Sequence, residues 1–430
     1  MTISDPRSGA KAAAPDRPDA SPWAALRDRN YRLFWTGGLV SNIGRWFQSL
    51  AVPVIVWQLT ESPAWVGFAG FSRMAPMALV SPWAGALADR FDRRSLLFVT
   101  QSLQAVATGL LLMAWLAGIR NAGTYVALSA LAGAFGGLNL PAWKAFTNDL
   151  VPRDRLLNAI TLNSMQFNAS RMFGPALAGI TVAALGPAWA FGINFVSFGA
   201  VLIALALIRI GRTVSDDPAP FRPLRDFVET LVWIRDQPGI RQSLVTVAFI
   251  GFFGLPVQVL AVVFAEDVFD SGEQAFGVMI TMVGLGAVSA GPFVAGRGTL
   301  LPRSRLMSIG LCGYGFGLVA FALSPNLIAA SAALFVVGAS HLTSTSTLNT
   351  AQQMQASKDR LAKVLSVHTV AVTLSSPIGQ LVLGRAMTDI SPRLTMTIAG
   401  LALLVAAAMF IGFGRFKSLD VELPTDELVS

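Results

Sequence analysis

The side chains best suited to chemistry in this 430-residue sequence are three arginines and two histidines that interrupt long apolar runs. A guanidinium binds carboxylates and phosphates through several N–H donors. An imidazole, with an ordinary pKa of about 6.5, gains or loses a proton near neutral pH. The 24 Asp and Glu residues all fall outside these runs or at their ends. The pattern therefore favours anion binding and proton transfer over catalysis. The five residues are Arg45, Arg73, Arg171, His341 and His368.

Further polar residues accompany two of these cations. Asn42, Arg45 and Ser49 follow one another at spacings of three and four, which places them on one helical face. The stretch "SHLTSTSTLNT" surrounds His341 with hydroxyl groups. Each of these residues has an alternative to a role in a cavity. Ser and Thr often donate hydrogen bonds to carbonyls of their own helix. An arginine can find carbonyl partners or extend to the membrane surface. The candidate cavity residues are Asn42, Arg45, Gln48, Ser49, Asn139, His341, Ser344 and Thr345.

The composition places the apolar runs in lipid. The chain is 53% hydrophobic and only 13% charged, whereas soluble proteins are about 25% charged. Lipid offers no partners to backbone polar groups, so each crossing needs a helix of about 20 largely apolar residues. The sequence predicts twelve such helices and an all-α integral membrane fold. The net charge of +8 does not indicate nucleic acid, because the basic residues flank apolar runs instead of lining one polar face.

Loop charges and internal similarity predict the organisation of the chain. Most of the 32 Lys and Arg residues share one side with both tails, so the positive-inside rule predicts cytoplasmic termini. "PRDRLLNAITLNS" and "SKDRLAKVLSVHT" echo one another, which indicates a duplication. Between the halves, "RPLRDFVETLVWIRDQPG" predicts an amphipathic helix on the membrane surface. We expect a disordered tail at 1–30, a six-helix bundle at 31–210, a linker at 211–239, a second bundle at 240–414 and a tail at 415–430.

One short loop carries a resemblance to a known family. "GALADRFDRRSLL" resembles the loop signature of the major facilitator superfamily, and "NDLVPRDRLLNAITLNSMQFNASRMFGPALAG" resembles bacterial transmembrane secretion effectors, which include enterobactin-type exporters. The resemblance implies two pseudo-symmetric six-helix bundles, with the first, fourth, seventh and tenth helices lining a central cavity. It also implies that the loop latches the two halves together in one transport state; a role in topology alone is the alternative. The loop residues are Gly85, Asp89, Arg90, Arg93 and Arg94.

The fifth predicted helix carries a second resemblance, to the antiporter signature of drug exporters. Ser170 stands where that signature has a glycine, so the match is partial. Small residues permit close approach of a neighbouring helix, and a proline is a candidate hinge. Tight packing without motion is the alternative. The motif residues are Ser170, Arg171, Gly174, Pro175 and Gly179.

These observations predict a proton-coupled exporter of small amphipathic or anionic organic molecules, such as siderophore-like metabolites or drugs. No Walker A sequence is present, so a gradient replaces ATP as the energy source. The proton-coupling candidates are His341, Asp149 and Glu266, with His368 a weaker one. We expect a multi-pass monomer in the bacterial plasma membrane, in contact with lipid, without a cofactor and without enzymatic activity. Uptake, lysophospholipid-type flipping and a non-transporting sensor or scaffold are the alternatives.

The predicted topology has a direct test. In a Cys312→Ser background, cysteines placed at Arg90 and Arg155 should react with an impermeant maleimide only from the cytoplasmic side, because both loops are predicted there. A cysteine at Glu61 should react only from the other side. Labelling of Arg90 and Arg155 from opposite sides would contradict the helix count.

Overall fold

The structure is a computed structural model that describes residues 21, 23–211 and 223–421. Every regular element within these ranges is helical. Twelve long helices and one short one account for nearly all of the described chain. They are α1 (Arg29–Thr60), α2 (Pro63–Arg90), α3 (Arg93–Leu116), α4 (Ala122–Asp149), α5 (Leu156–Leu185), α6 (Pro187–Leu207), α7 (Pro223–Arg235), α8 (Pro238–Val268), α9 (Gly272–Ala295), α10 (Arg303–Leu323), α11 (Leu327–Gln355), α12 (Lys358–Asp389) and α13 (Pro392–Gly412).

The membrane fold class is confirmed. Within the described ranges, ten helices are long and apolar enough to cross a membrane. The two long helices outside that set are α2 and α5, so their crossing stays a prediction. Local sequence fixes several helix starts: Asn121, Asn326 and Ser391 each accept a hydrogen bond from a backbone N–H of the first turn. Such caps replace the partners that the first N–H groups of a helix lack.

The helix α8 contains two short π-helical segments, at Ile250–Gly254 and Phe264–Val268. Pro256 follows the first of them and has no N–H to donate, which favours a local change in the hydrogen-bond pattern. The sequence analysis predicted one uniform helix here, over a slightly shorter range. The first π-helical segment lies beside Tyr314 of α10, because its Gly254 packs against the ring of Tyr314.

The helices form two bundles with the same internal arrangement. In the first bundle, α2 packs on α4, α3 on α4, and α3 on α6. The corresponding pairs in the second bundle are α9 with α11, α10 with α11, and α10 with α13. This repetition of neighbours agrees with the duplication seen in the sequence.

Both described ends of the chain lie on one face, which we call the terminal face; the opposite one is the distal face. Near the first end, the 3₁₀ helix Ala24–Arg27 is held by Asn158, whose Oδ1 accepts from Ala25 N at 2.8 Å. Near the last end lies the 3₁₀ helix Arg415–Asp420. Its Ser418 carbonyl accepts a hydrogen bond from Gln355 Nε2 at 2.9 Å. These two short helices lie within the ranges 1–30 and 415–430, which the sequence assigns to tails. Residues 1–20, 22, 212–222 and 422–430 lie outside the described residues.

The predicted amphipathic helix is α7. Its Phe227 and Ile234 pack with Ile240, Val364 and neighbouring apolar residues. Leu231, expected on the same side, is 42% exposed. The helix thus joins the linker to α8 and α12 at the terminal face.

The two bundles touch through the distal halves of four helices. Between α2 and α12, Ala64 N donates to Thr388 Oγ1 at 3.2 Å, and a Cβ added at Gly384 would lie 2.9 Å from the Cα of Gly67. Between α5 and α9, Thr281 Oγ1 donates to Ala176 O at 3.3 Å, close to Gly179. Glycines therefore bring the helix backbones together at both crossings.

These crossings predict the effect of added bulk. In Gly384→Val, the new side chain would meet backbone atoms of Pro63 and Gly67 at 2.7–2.9 Å, so α2 and α12 must separate. Spin labels at Ser62 and Ile390 should show a longer distance population by pulsed EPR. Gly192→Val in α6 is the matched control, because nothing lies within 4 Å of its added Cβ. Identical distance distributions in both variants would contradict this packing.

Candidate functional site

Towards the terminal face the two bundles present polar side chains at membrane depth. On α5, Thr161, Ser164, Asn168 and Arg171 follow one another at spacings of three, four and three, and all are exposed. Residues at this spacing share one face of a helix. Exposed polar groups in the middle of a membrane helix require water or a protein partner. We call the space that they face the cleft.

The helix α12 carries a matching polar stripe. Ser366 and Thr369 are exposed in its terminal half, while Ser376 and Gln380 are buried in its distal half. Gln380 Nε2 donates to Ser376 Oγ at 3.1 Å and lies 3.9 Å from Met74 Sδ of the other bundle. The polar stripe of α12 thus runs from the open, terminal part of the contact between the bundles into its closed, distal part.

Two of the arginines lie together at one wall of the cleft. Arg45 is partly exposed and donates from Nη2 to Asn42 Oδ1, one turn earlier on α1. It also lies within electrostatic range of Arg73 on α2. The ion pairs of the described residues all lie at helix ends, in turns or on α7. Two neighbouring positive charges at this depth, without a carboxylate between them, favour an anion.

Three further ionisable residues lie within helices of the two bundles. Arg171 on α5 is exposed, and His341 on α11 and His368 on α12 are partly exposed. The ring of His341 meets that of Tyr314 edge-on, with centroids 5.9 Å apart. The sequence analysis singled out all three ionisable residues.

Two predicted cavity residues lie in bundle interiors instead. Gln48 is buried and accepts from Thr108 Oγ1 at 2.7 Å and from Asn194 Nδ2 at 2.8 Å. Asn139 is buried and donates to Thr100 Oγ1 at 3.0 Å. These predictions were wrong because the polar groups satisfy one another between helices of the same bundle.

Ser344 was also wrongly assigned to the cavity, since it is fully buried against Gly310 of α10. Thr345 is partly exposed and donates to the carbonyl of His341 at 2.8 Å, as the bonding to its own helix predicts. Ser49 is partly exposed on α1. The structure keeps Arg45, Ser49, His341 and Thr345, all partly exposed, as candidates. Asn42 is buried and accepts a hydrogen bond from Arg45. The structure adds Asn168 and Ser366 with their stripes.

The antiporter-like motif lies where α5 meets two neighbours. Gly174 packs against the indole of Trp46 on α1, and Gly179 faces Gly277 on α9. Ser170 is buried and donates to Gln166 O at 2.8 Å. Pro175 has no N–H to donate to the carbonyl of Arg171, four residues earlier. The motif thus combines close packing with a weakened turn at Arg171.

The charged loop between α2 and α3 is tied to the first bundle. Arg93 Nη1 contacts both carboxylate oxygens of Asp149 at 2.8 and 2.9 Å. Arg94 donates to the carbonyls of Leu205 and Ala206 at 2.8 and 3.0 Å. Asp92 caps α3 at Ser95, and Arg90 is exposed. The side chains of Gly85 and Asp89 lie outside the described residues, so a latch to the other bundle stays a prediction.

The other two proton-coupling candidates lie near the two membrane faces. Asp149 ends α4 at the terminal face in the pair with Arg93. Glu266 lies in the second π-helical segment of α8, towards the distal face. His341 lies within α11, where its ring contacts that of Tyr314 edge-on. Among the described residues, no group of three His, Cys, Asp or Glu side chains could hold a metal ion.

A separate apolar cavity of about 520 Å³ lies between α8 and α12. Phe249, Phe252 and Phe253 line it on one side. Leu374 and Ile378, 49% and 43% exposed, line it on the other. These residues of α12 lie on the side of the helix opposite to its polar stripe, so this cavity is distinct from the cleft.

Comparison with protein families decides the identity of the fold. The family model described as "Transmembrane secretion effector" matches residues 20–424, nearly the whole chain. The chain belongs to this family of major facilitator transporters. The family consists of transporters and not of enzymes.

Three bacterial transporters are similar to this chain in sequence. It is 24% identical over 261 residues to the staphyloferrin A transporter of Staphylococcus aureus, covering 60% of this chain and 65% of that one. It is 28% identical to the uncharacterised transporter YfiS of Bacillus subtilis, over 50% and 51% of the two chains. It thus spans less than two thirds of these two relatives. With the enterobactin exporter EntS of Shigella flexneri, identity is 23% over 89% and 90% of the chains.

Solved structures support the fold. A peptide transporter of the POT family in complex with alafosfalin superposes with a TM-score of 0.70 at 14% identity, covering 91% of this chain and 95% of that one. A bacterial homologue of the human lysosomal transporter Spinster, in an inward-facing and occupied conformation, gives 0.66 at 16% identity, covering 94% and 100%.

The Arg93–Asp149 pair predicts a stability effect. Its side chains are only 17% and 21% exposed, so Asp149→Asn should cost about 1–3 kcal/mol, the usual range for a hydrogen bond to a charged group. The melting temperature in detergent should fall. The control Asp389→Asn removes an exposed i,i+4 pair with Arg385 and should change it little. Equal effects of both substitutions would contradict a stabilising role for the loop.

Proposed function

We propose that this transporter is a secondary active exporter of small anionic or amphipathic organic molecules, siderophore-like metabolites among them. The observation that carries the proposal is the charge of the cleft. Arg45, Arg73 and Arg171 stand at membrane depth without a paired carboxylate among the described residues. Each cation is costly there unless water or an anion reaches it. A solute with an acidic group would meet that need while it is bound.

The contacts between the bundles support alternating access. The distal halves of α2, α5, α9 and α12 touch, whereas polar side chains are exposed in the terminal halves of α5 and α12. A rocking motion about the cleft would exchange the open and closed ends, as in other transporters built from repeats. The buried part of the polar stripe on α12, Ser376 and Gln380, would then line the distal opening.

The orientation and energy source belong to the same proposal. The positively charged loops favour a cytoplasmic terminal face in a bacterial plasma membrane. The cleft described here would then take up its solute from the cytoplasm. Protons are the proposed coupling ion, with His341 as their carrier, because imidazole is the side chain whose ordinary pKa lies closest to neutral pH. We further propose that one copy of the chain suffices.

The names of the relatives support export of siderophores over uptake, since one of them is an enterobactin exporter. The alternative functions, uptake and lipid flipping, predict a different direction of solute movement from export. In inverted vesicles, in which the cytoplasmic side faces outward, an exporter accumulates solute, whereas an importer empties the vesicle.

Replacing Arg45 tests the charge of the cleft. Arg45→Gln should lower the uptake of labelled 2,3-dihydroxybenzoate into inverted vesicles by about 10-fold or more, the loss expected for one charge-assisted hydrogen bond. Uptake of the neutral 2,3-dihydroxybenzamide should change little. The control Arg120→Gln removes an arginine that stacks over Trp115 outside the cleft and should leave both rates unchanged.

Two outcomes would contradict the proposal. One is an unchanged rate of 2,3-dihydroxybenzoate uptake by Arg45→Gln at equal protein levels. The other is the absence of uptake of either compound by the unaltered protein.

A further inference from the structure

We propose that the hydroxyl of Tyr314 is the hydrogen-bond partner of His341 Nδ1, directly or through one water molecule, and that Tyr314 is the positioning residue of this imidazole. The proton-carrying role of His341 belongs to the proposed function, so the consequence for proton coupling rests on it. The contact between the two side chains stands on the packing of the second bundle alone.

The packing of α10 against α11 brings the two residues together. A Cβ added at Gly313 of α10 would lie 2.5 Å from Oγ of Ser340 on α11, so the helix backbones approach closely at this level. The next residues on the two helices are Tyr314 and His341. Their rings meet edge-on, with centroids 5.9 Å apart and planes at 82°. The side chains are therefore in direct contact inside one bundle.

Each of these two residues has a buried polar atom without a partner. Tyr314 is fully buried, and its hydroxyl makes no hydrogen bond among the described residues. The same holds for Nδ1 of His341. A tyrosine hydroxyl both donates and accepts, and an imidazole nitrogen does one or the other according to its tautomer. Since nearly all buried polar groups in proteins have a partner, two such atoms on touching side chains are complementary.

The other tyrosines of the chain show how unusual this hydroxyl is. The chain has three tyrosines, and all are buried. The hydroxyl groups of Tyr31 and Tyr125 each donate to a backbone carbonyl at 2.8 Å. The hydroxyl of Tyr314 lies instead beside Gly254, in the first π-helical segment of α8, where an added Cβ would be 3.0 Å from it. The glycine leaves room for a hydroxyl that reaches the imidazole.

Ser344 is the rival partner for the imidazole. It is fully buried, its Oγ has no partner among the described residues, and it follows His341 by three positions, on the same face of α11. Its Oγ lies against α10, however, 2.5 Å from a Cβ added at Gly310. The ring of His341 meets that of Tyr314, so the contact favours the tyrosine.

The charged residues of the second bundle lie away from the level of His341, which is near the middle of α11. They stand in the first two or last two turns of the long helices: Arg241, Glu266, Asp267, Glu273, Arg303, Arg305, Lys358, Asp359, Arg360, Lys363, Arg385, Asp389 and Arg393. Deeper in the membrane stand Cys312, His368 and the first-bundle residues Arg45, Arg73 and Arg171. Within the described part of the second bundle, a hydroxyl is thus the polar group in contact with the imidazole.

Holding Nδ1 has a consequence for proton transfer. The hydrogen bond that one ring nitrogen makes decides which nitrogen of a neutral imidazole carries the proton. His341 as a whole is partly exposed, although its Nδ1 is buried. With Nδ1 held by Tyr314, the other nitrogen is the one that takes up and releases the proton, and the ring presents it in a fixed direction.

The nitrogen resonance of His341 tests the contact directly. In a His368→Gln background, purified without a histidine tag, His341 is the single histidine, since the chain has two. Solid-state NMR of the full-length protein in liposomes, with isotope-labelled histidine, should show an Nδ1 resonance that moves by more than its line width in Tyr314→Phe. Tyr125→Phe and Ser344→Ala remove other buried hydroxyl groups and should leave the resonance in place.

A second variant displaces the hydroxyl and leaves the tyrosine itself unchanged. In Gly254→Ala the added methyl would lie 2.7 Å from Cζ of Tyr314, so the ring must shift and the Nδ1 resonance of His341 should move as well. Gly192→Ala is the matched control, because nothing lies within 4 Å of its added Cβ.

Transport separates positioning from binding of the solute. Inverted vesicles with an acidic interior should accumulate labelled 2,3-dihydroxybenzoate, and Tyr314→Phe should lower this gradient-driven uptake by about 5-fold, the loss expected for one hydrogen bond. Exchange against unlabelled benzoate without a gradient should stay unchanged, which also shows that the variant folds. In a His341→Gln background, Tyr314→Phe should have no further effect, because it acts through the imidazole.

The outcomes distinguish this inference from the proposed function. An Nδ1 resonance that stays in place in Tyr314→Phe, or that moves in Ser344→Ala instead, would overturn the proposed contact whether or not transport is coupled to protons. If the resonance moves in Tyr314→Phe but the unaltered protein transports equally with and without a proton gradient, the contact stands and the proton-carrying role of His341 fails. Equal losses of gradient-driven uptake and of exchange in Tyr314→Phe would contradict the positioning role.

Discussion

Lipid does not solvate backbone polar groups or charges, and this single constraint accounts for most of what the chain does. It makes every regular element of the described residues a helix, because only a helix satisfies its own N–H and C=O groups. It also makes each polar side chain at membrane depth informative. Those inside a bundle bond to one another, as Gln48 does with Asn194. Those that do not, above all Arg171, must face water or a ligand.

The contact between the two bundles differs between the distal and the terminal face, and the same constraint explains both. Near the distal face, glycines let helix backbones meet directly. Near the terminal face the same helices carry Thr161, Ser164, Ser366 and Thr369, which would be costly in a dry interface. The stripe of α12 continues through both regions. An interface that is tight at one end and open and polar at the other is suited to exchange of its open end.

The fold class followed from composition alone, because a chain with so few charges has no other way to bury its apolar runs. Helix α7 and the repeat were also visible in the sequence. The assignment of cavity residues was less successful for a physical reason. Helical spacing shows that Asn42, Arg45 and Ser49 share a face, but not whether a residue such as Gln48, one position away, meets water or a neighbouring helix. Asn139 and Ser344 failed in the same way.

Two further features could not be read from spacing. The position of Arg171 relative to His341 and His368 depends on how the two bundles pack, although each residue was recognisable as an intramembrane cation or imidazole. The π-helical turns of α8 likewise arise from local packing beside Pro256 and Tyr314. In contrast, the polar face of α5 is present in the sequence as a spacing of three, four and three between Thr161, Ser164, Asn168 and Arg171.

The central claim is that a water-filled, positively charged cleft opens at the terminal face. Its most direct test is the reaction of Asn168→Cys, in a Cys312→Ser background, with anionic and cationic thiosulfonate reagents added at that face. The account predicts that the cysteine reacts, and that the anionic reagent is favoured relative to its rate with a free thiol in solution. A cysteine at Leu177, on the lipid side of the same helix, should not react. A preference for the cationic reagent, or no reaction at Asn168, would contradict the account.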